Sequence, residues 1–335
     1  MSSDATKLID TARSNWLAAR LTGVGASDAA AALGKSRWKS PLALQAEKMG
    51  LVEAPDLTDN EAVQIGIELE PMVASRLARA TGWTLTDPGR YSIQRHPTVP
   101  YAICTVDRFV EPPAGDHKDR GVAEIKTTSA EPEDVEAGQP LDATVPMEWL
   151  IQVQHQLWVN GLSWGVIPVL HIGRRKAFRW LPIERNGRFI DEVLSPGIAA
   201  FWAAVQSRAP LPPGPDDREV LTRLYPRQTP GKSLTLTPDL IGGADPDEIA
   251  RQIEAISARV KADETEKSRL QNLILAAAAD AEIITTPGGV KWTYKEQKKA
   301  ASYAAWYKAL PDSVKRDFPL PDAGTIRVLR GGKSE

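Results

Sequence analysis

The sequence predicts an α/β protein, a mixed central sheet flanked by helices. Three patterns carry that expectation. Residues 101–110 (Y-A-I-C-T-V-D-R-F-V) and 121–128 (G-V-A-E-I-K-T-T) read as two strands joined by a loop with two prolines and two glycines. Residues 164–172 (W-G-V-I-P-V-L-H-I) and 177–183 (A-F-R-W-L-P-I) read as a second hairpin around the turn G-R-R-K at 173–176. Between and around them lie helical patterns over 60–81, 147–160 and 187–206.

Taken in order, residues 4–20 read as an amphipathic helix ending near Arg20. A turn from Thr22 to Gly25 leads to Ser27, read as the cap of a small-residue helix over 28–33. Ser40 before Pro41 is a cap followed by proline at the first helical position, and Gly50 supplies the stop. That helix displays Leu42, Leu44 and Ala46 and reads as structural, with Trp38 just before it as a core anchor. The helix over 60–81 ends at Gly82; Ile67, Val73 and Leu77 form its apolar stripe, and Glu70 lies on the same stripe. A carboxylate on a buried stripe is costly unless paired or metal-bound. Its helical partners would be Arg76 or Arg79, while Glu68 points elsewhere. Pro71 removes the hydrogen bond to the Ile67 carbonyl, so a kink is expected beside Glu70. Residues 83–95 read as a strand and turn, and 130–146 as an acidic, proline-bearing loop.

The clearest break is A-P-L-P-P-G-P-D at 209–216. It divides the chain into a core over 1–208, a proline-rich linker over 209–244 and a C-terminal region over 245–335. In the last, a long helix over 246–280 carries Ile249, Ile253, Ile256, Val260, Leu270, Leu273 and Ile274 on one side, fitting a helical arm or a partner surface. A hairpin around P-G-G (282–294), a helix (302–309) and a strand T-I-R-V-L-R follow.

Composition narrows the function classes. The 335 residues are 42% hydrophobic and 25% charged, ordinary for a globular protein. Net charge is −2, so nucleic-acid binding would need a local basic lining rather than a basic protein. A single cysteine, Cys104, excludes a disulfide framework and a cysteine-ligated iron–sulfur cluster. No apolar run approaches a membrane span, and M-S-S-D-A-T-K lacks a signal peptide's apolar segment, so the expected location is cytoplasmic.

The chemistry concentrates in the first hairpin. Side chains alternate across a strand, so Glu124 and Lys126 share one face, and Asp107 ends the preceding strand on the face of Thr105 and Ile103. Two carboxylates brought together repel unless a divalent cation lies between them, and oxygen ligands suit magnesium. A lysine beside that cation can orient or deprotonate water, or neutralise charge developing on a phosphate. Upstream, Arg20, Ser27 and the helix start can together hold a phosphate, although a turn with an ordinary serine cap has the same sequence. On helix 147–160, Gln152 and Gln154 are about 200° apart, so only one of them faces the hairpin. His155 is a poor ligand for a hard cation.

In order along the chain, W-L-A-A-R-L-T-G-V-G-A-S-D-A-A-A-A-L-G (16–34), S-R-W-K-S-P-L-A-L-Q-A-E-K-M-G (36–50), G-I-E-L-E-P (66–71), T-V-D (105–107), E-I-K (124–126) and Q-V-Q-H-Q-L-W-V (152–159) resemble the PD-(D/E)XK nucleases. Within them the match is to the phage lambda exonuclease/YqaJ-type recombination exonucleases. One departure is Val106 where the superfamily's motif has proline. The resemblance implies a restriction-endonuclease-like core and a Mg²⁺-dependent 5′→3′ exonuclease on linear duplex DNA, acting through a two-metal site in which Mn²⁺ can substitute. By this likeness Asp107, Glu124 and the Ile125 carbonyl hold the first metal, Glu70 with Asp107 the second, and Lys126 activates water. The family's spacing favours Gln152 over Gln154 as the ordering glutamine, although Gln154 with Trp158 four residues later is also a nuclease pattern. The likeness also places Arg20, Ser27 and Thr105 on a terminal 5′-phosphate; apart from it, the alternative to a core anchor at Trp38 is a DNA-end wedge.

The implied product is a 3′ overhang passed to a RecT- or Redβ-like annealing protein, the implied assembly a homo-trimer ring, and the implied setting a phage or prophage protein in a bacterial cell. The competing readings are an endonucleolytic or repair nuclease on the same core and a non-catalytic DNA-end scaffold; a helical interaction module fits the C-terminal region alone. Arg174, Arg175 and Lys176, and Lys295, Lys298 and Lys299, are further candidate DNA contacts.

Overall fold

A computed structural model describes residues 3–113, 119–129, 145–173, 178–295 and 303–318. The chain forms two compact units, Met1–Pro226 and Arg227–Glu335. The first contains helices α1 (Ser3–Arg20), α2 (Ala26–Ala32), α3 (Pro41–Lys48) and α4 (Glu61–Thr81), then strands β1 (Thr84–Thr86), β2 (Gln94–Arg95), β3 (Ile103–Cys104), β4 (Arg108–Glu111), β5 (Gly121–Ala123) and β6 (Lys126–Thr128). Helix α5 (Met147–Asn160) and strands β7 (Trp164–His171) and β8 (Phe178–Glu184) follow. The unit closes with α6 (Gly187–Phe189), a π-helical turn at Ile190–Leu194, α7 (Ser195–Ser207) and α8 (Arg218–Leu224).

The expected α/β architecture is present. β1, β4 and β5 run antiparallel, β7 lies parallel to both β5 and β6, and β8 pairs antiparallel with β7. β5 and β6 are two halves of one line of chain broken at Glu124–Ile125, where the Glu124 N–H still reaches the Val166 carbonyl at 3.0 Å. Every residue of β7 is buried, as a strand covered on both faces must be. One face carries Val122 in a core with Val153 and Leu157 of α5. The other carries Ala123 with Leu77 of α4, and Ile125 with Val73 and Ala74. The period of two thus sends Glu124 to the α5 side. Gly165 lets α5 approach: a Cβ there would stand 3.0 Å from the Val153 side chain.

Several local expectations change. Thr105, Val106 and Asp107 belong to no strand: β3 pairs with β2 in a small separate sheet, and the central strand begins only at Arg108. Asp107 therefore stands at the entry of a strand rather than at its end. Ser27 is not the cap of α2; Gly25 occupies that position, and its N–H donates to Asp28 Oδ2 at 3.3 Å. Trp38 is 82% exposed and is no core anchor. Helix α4 keeps its helical range through Pro71 and ends at Gly82 in the left-handed conformation, as expected.

The proline-rich run lies inside the first unit. Buried Gln45 donates to the carbonyls of Ala204 (3.1 Å) and Ala209 (2.6 Å) and accepts from the Leu211 N–H (3.0 Å). Ser40 donates to Asp217, and Val220 of α8 packs with Leu42, Ala46 and Val52. One amide side chain and an apolar patch on α3 hold a stretch whose composition alone reads as linker.

The second unit holds α9 (Pro246–Ala278), the β9 (Ile283–Thr285)–β10 (Lys291–Thr293) hairpin, α10 (Tyr303–Ala309) and α11 (Asp312–Asp317). The stripe Ile249, Ile253, Ile256, Val260, Leu270 and Leu273 on α9 is exposed. Lys295 pairs with Glu282 at 2.6 Å. Arg174, Arg175, Lys176, Lys298, Lys299, the acidic loop over 130–144 and the strand T-I-R-V-L-R lie outside the described residues. No helix among the described residues is long and apolar enough to cross a membrane.

Candidate active site

Where the sheet line breaks, the side chain of Asp107 takes over a backbone duty. Asp107 Oδ2 accepts the Ile125 N–H at 2.8 Å, a donor that a continued β4–β5 ladder would have given to a carbonyl. Both the break and the placement of Asp107 beside Glu124 follow from that one bond.

Glu124 is buried, and both its oxygens are engaged. Oε1 accepts from Lys126 Nζ (2.8 Å) and Gln152 Nε2 (2.6 Å), and Oε2 accepts from Gln156 Nε2 (2.6 Å). Lys126 Nζ also donates to Gln152 Oε1 at 3.0 Å. Gln156, fully buried, donates a second bond to the Thr105 carbonyl at 3.1 Å. Gln152 and Gln156 are one helical turn apart, so α5 presents both amides to the same carboxylate.

Gln154 takes no part. Its Nε2 donates to the Glu184 carbonyl at 2.7 Å and its Oε1 accepts the Asn186 N–H at 2.8 Å, which fixes the end of β8 to α5. His155 is likewise structural: its Nε2 lies 3.0 Å from the Ile103 carbonyl, and burial holds its pKa down at about 4.

Glu70 extends from α4 toward the same place, but its partner is neither Arg76 nor Arg79. Arg108 Nη1 donates to Glu70 Oε1 at 2.6 Å and also to the Asp107 carbonyl. Burial, then the charges of Glu124 and Glu70, push the Asp107 carboxyl well above the ordinary carboxylate range; the Ile125 N–H and Lys126 oppose this without cancelling it. Among the described residues no three His, Cys, Asp or Glu side chains close into a ready-made metal set. What is present is a buried Glu124 with a half-buried Asp107, and a third carboxylate, Glu70, paired with Arg108.

The phosphate candidates converge on the same cavity. Arg20 Nη2 donates to Ser27 Oγ (3.2 Å) and to Asp28 Oδ1 (3.1 Å), and its guanidinium lies 4.8 Å above the Trp16 ring. Trp16 Nε1 in turn donates to Thr105 Oγ1 at 3.2 Å. Asp28 is held from below by Lys48 Nζ at 2.7 Å. Burial alone would raise the Asp28 pKa, but the Lys48 and Arg20 charges bring it down to about 2. A close approach sets this up: Gly23 runs against the Tyr101 carbonyl, where a Cβ would clash, and the Val24 N–H donates to that carbonyl at 2.7 Å. One cavity of about 230 Å³ is lined by Arg20, Ser27 and Thr105 together with Glu70, Asp107, Glu124 and Gln152.

A family model described as the YqaJ-like viral recombinase domain matches residues 15–163. A Bacillus subtilis (strain 168) relative described as "Uncharacterized protein YqaJ" is 30% identical over 278 residues, 82% of this chain and 80% of its own length. The chain belongs to the YqaJ family. Among solved structures, an alkaline exonuclease (LHK-Exo) from Laribacter hongkongensis is similar at 27% identity and a TM-score of 0.46, covering 58% of this chain and 93% of that one. A phage-related exonuclease from Haemophilus somnus 129PT gives 13% identity and a TM-score of 0.41, covering 56% and 96%.

In this YqaJ family member the sequence reading missed three site residues. Gln156 carried a usable signal, since it lies at i+4 from Gln152. Arg108, adjacent to Asp107, gave no sign of its partner on α4. Arg90, which lines the cavity, comes from a turn that sequence periodicity does not describe.

Proposed function

We propose that the protein is a divalent-cation-dependent exodeoxyribonuclease that shortens linear duplex DNA from its 5′ ends. The observation that carries this reading is the single cavity joining Arg20, Ser27 and Thr105 to Asp107, Glu124 and Gln152. On this reading one space takes both a terminal phosphate, at Arg20 and Ser27, and a reacting phosphate, at Asp107 and Glu124. That arrangement suits a strand end rather than the middle of a duplex.

The donors suit a hard cation. Asp107 and Glu124 are oxygen donors; burial first and then the neighbouring carboxylates raise the Asp107 pKa, and a bound cation would relieve that repulsion. The Ile125 carbonyl, in the strand break next to Glu124, would be a third oxygen donor. Asp107 and Glu124 would hold one Mg²⁺ or Mn²⁺ ion, and Glu70, whose Oε1 is paired with Arg108, would contribute to a second. When bound, such an ion supplies Lewis-acid polarisation of the phosphate and neutralises developing charge.

The chain's own groups do the rest. Gln152 and Gln156 fix the Glu124 carboxylate from two directions, so its geometry does not depend on the ligand. Lys126, shared between Glu124 and Gln152, is positioned to orient an attacking water or to stabilise negative charge on the phosphate. Arg20 places a fixed cation at the terminal phosphate, with Ser27 Oγ as a hydroxyl partner. The resulting 3′ overhang is the substrate of a single-strand annealing partner, and a homo-trimer ring would keep the duplex threaded.

The test uses linear duplexes with 5′-phosphate or 5′-hydroxyl ends and a circular duplex, in Mg²⁺ or EDTA, following which strand shortens. The expected result is Mg²⁺-dependent loss of 5′-terminal nucleotides from linear DNA, fastest on phosphorylated ends. Arg20→Ala should remove that preference. Cutting of the circle, or unchanged rates in Lys126→Ala, would overturn the reading.

A further inference from the structure

Helix α9 carries its apolar residues in water. Ile253, Ile256, Val260 and Leu270 are between 47% and 56% exposed, and Ile274 is half-buried. Single exposed apolar residues are ordinary, but a stripe of them along one helix marks a surface that another element covers. The spacing names the kind of element. Residues 253, 256, 260, 263, 267, 270, 274 and 277 follow one another at alternating intervals of three and four, the seam of a coiled coil kept for about three and a half heptads. Two positions at the centre of that seam are charged, Asp263 and Lys267. Other charges of α9 are paired along their own helix, Glu248 with Arg251 at 2.9 Å and Glu266 with Arg269 at 2.7 Å. Among the described residues, no hydrogen bond or ion pair engages the side chain of Asp263 or Lys267.

The seam is also palindromic: its intervals read the same from either end, with the midpoint at Thr265. A second copy of α9 laid antiparallel about that midpoint brings Asp263 of each copy against Lys267 of the other. The same alignment sets Val260 against Leu270, Ile256 against Ile274 and Ile253 against Ala277, so apolar faces apolar at each of these levels. A parallel alignment in register does the opposite, stacking Asp263 on Asp263 and Lys267 on Lys267, and like charges face to face reject it. Charged or polar residues in a seam lower its stability and specify its alignment. We propose that α9 is a self-pairing arm that docks antiparallel on α9 of a second copy of this chain, with the crossed Asp263–Lys267 pairs setting the register. The contact lies wholly within the second unit and does not depend on the nuclease reading.

The experiment uses the full chain and measures its mass by sedimentation equilibrium over a range of concentrations. Asp263→Lys and Lys267→Asp each set like charges face to face at the midpoint. Either one should weaken the pairing roughly tenfold or more, halving the mass at concentrations where the wild type is paired. An equimolar mixture of the two variants should recover the wild-type mass, because the lysines of one copy then meet the aspartates of the other. An ion pair confined to a single helix has no such rescue by mixing. The double variant Asp263→Lys/Lys267→Asp should recover the mass by itself, which the antiparallel alignment allows and the parallel one forbids. Single variants that keep the wild-type mass overturn the proposal and leave the stripe to a different partner. A mixture that stays at the lower mass also overturns it, and assigns the two charges to the stability of α9 itself. A double variant that stays low overturns the antiparallel register.

Discussion

Asp28, buried, and Asp107, half-buried, are acids of the first unit whose environments push them in opposite directions. Asp28 sits between Lys48 Nζ at 2.7 Å and Arg20 at 3.1 Å, and its pKa falls to about 2. Asp107 has an N–H and a more distant lysine, but its charged neighbours Glu124 and Glu70 dominate after burial and raise it. Burial alone would raise both. The sign is decided by whether cations or carboxylates stand nearby. A paired acid such as Asp28 is a stabilising part, while an acid surrounded by acids is held at a cost that a ligand can remove.

Removing each charge should break the comparison cleanly. Asp107→Asn should lower cleavage of linear duplex by roughly 10²-fold or more, since it deletes a ligand of the proposed cation. Without added cation it should also raise the unfolding temperature, because the amide still accepts the Ile125 N–H and the repulsion with Glu124 and Glu70 is gone. A lower melting temperature for that variant would show that Asp107 is held as a stabilising pair. Asp28→Asn should do the reverse for stability. Lys48, almost fully buried, would be left without its counter-charge, at a cost of about 3–5 kcal/mol in denaturant unfolding. A loss under 1 kcal/mol would mean that Lys48 finds another partner or deprotonates.

Gln156 sharpens the same comparison from the side of the neighbours. Gln156→Met keeps the volume and removes both donors, so Glu124 Oε2 and the Thr105 carbonyl lose their partner. Outer contacts of this sort typically govern about 10–100-fold in metal affinity or activity. The expected result is weaker Mn²⁺ binding by calorimetry together with slower turnover. Slower turnover with unchanged Mn²⁺ affinity would assign Gln156 to packing only.

The sheet and its covering helices were legible because strand alternation and helical stripes are long-range averages over many residues. Glu124 and Lys126 were legible for the same reason, a period of two, whereas the helical turn said only that one of Gln152 and Gln154 faces the hairpin and the family's spacing favoured Gln152. The departures come from single contacts with no periodicity. Asp107 lies outside a strand because one carboxylate accepts one N–H. The run over 209–216 belongs to the first unit because one glutamine, Gln45, bonds the chain before and within it. Trp38 read as core because an apolar residue in sequence carries no mark of the surface it lacks, and Glu70 was matched to arginines on its own helix while its partner came from a strand.

The smallest expected effect concerns His155 and again turns on the sign of a shift. Burial lowers its pKa from 6.5 to about 4, so the folded protein holds it neutral where the unfolded chain binds a proton. That contribution is fully present above pH 6.5 and is lost as pH falls toward 4, amounting to about 1.4 kcal/mol for one pH unit below 6.5. Asp107 works in the opposite direction. Its folded pKa is raised, so its contribution is present below the unfolded value of 3.8 and is lost as pH rises through the folded one. The shift of Asp28 acts only between pH 3.8 and about 2, outside this window. In an Asp107→Asn background the His155 slope should therefore stand out, with stability falling between pH 6.5 and 5. Adding His155→Gln, which keeps a donor for the Ile103 carbonyl, should flatten it. An unaltered slope in the double variant would mean that another group takes up the proton on unfolding.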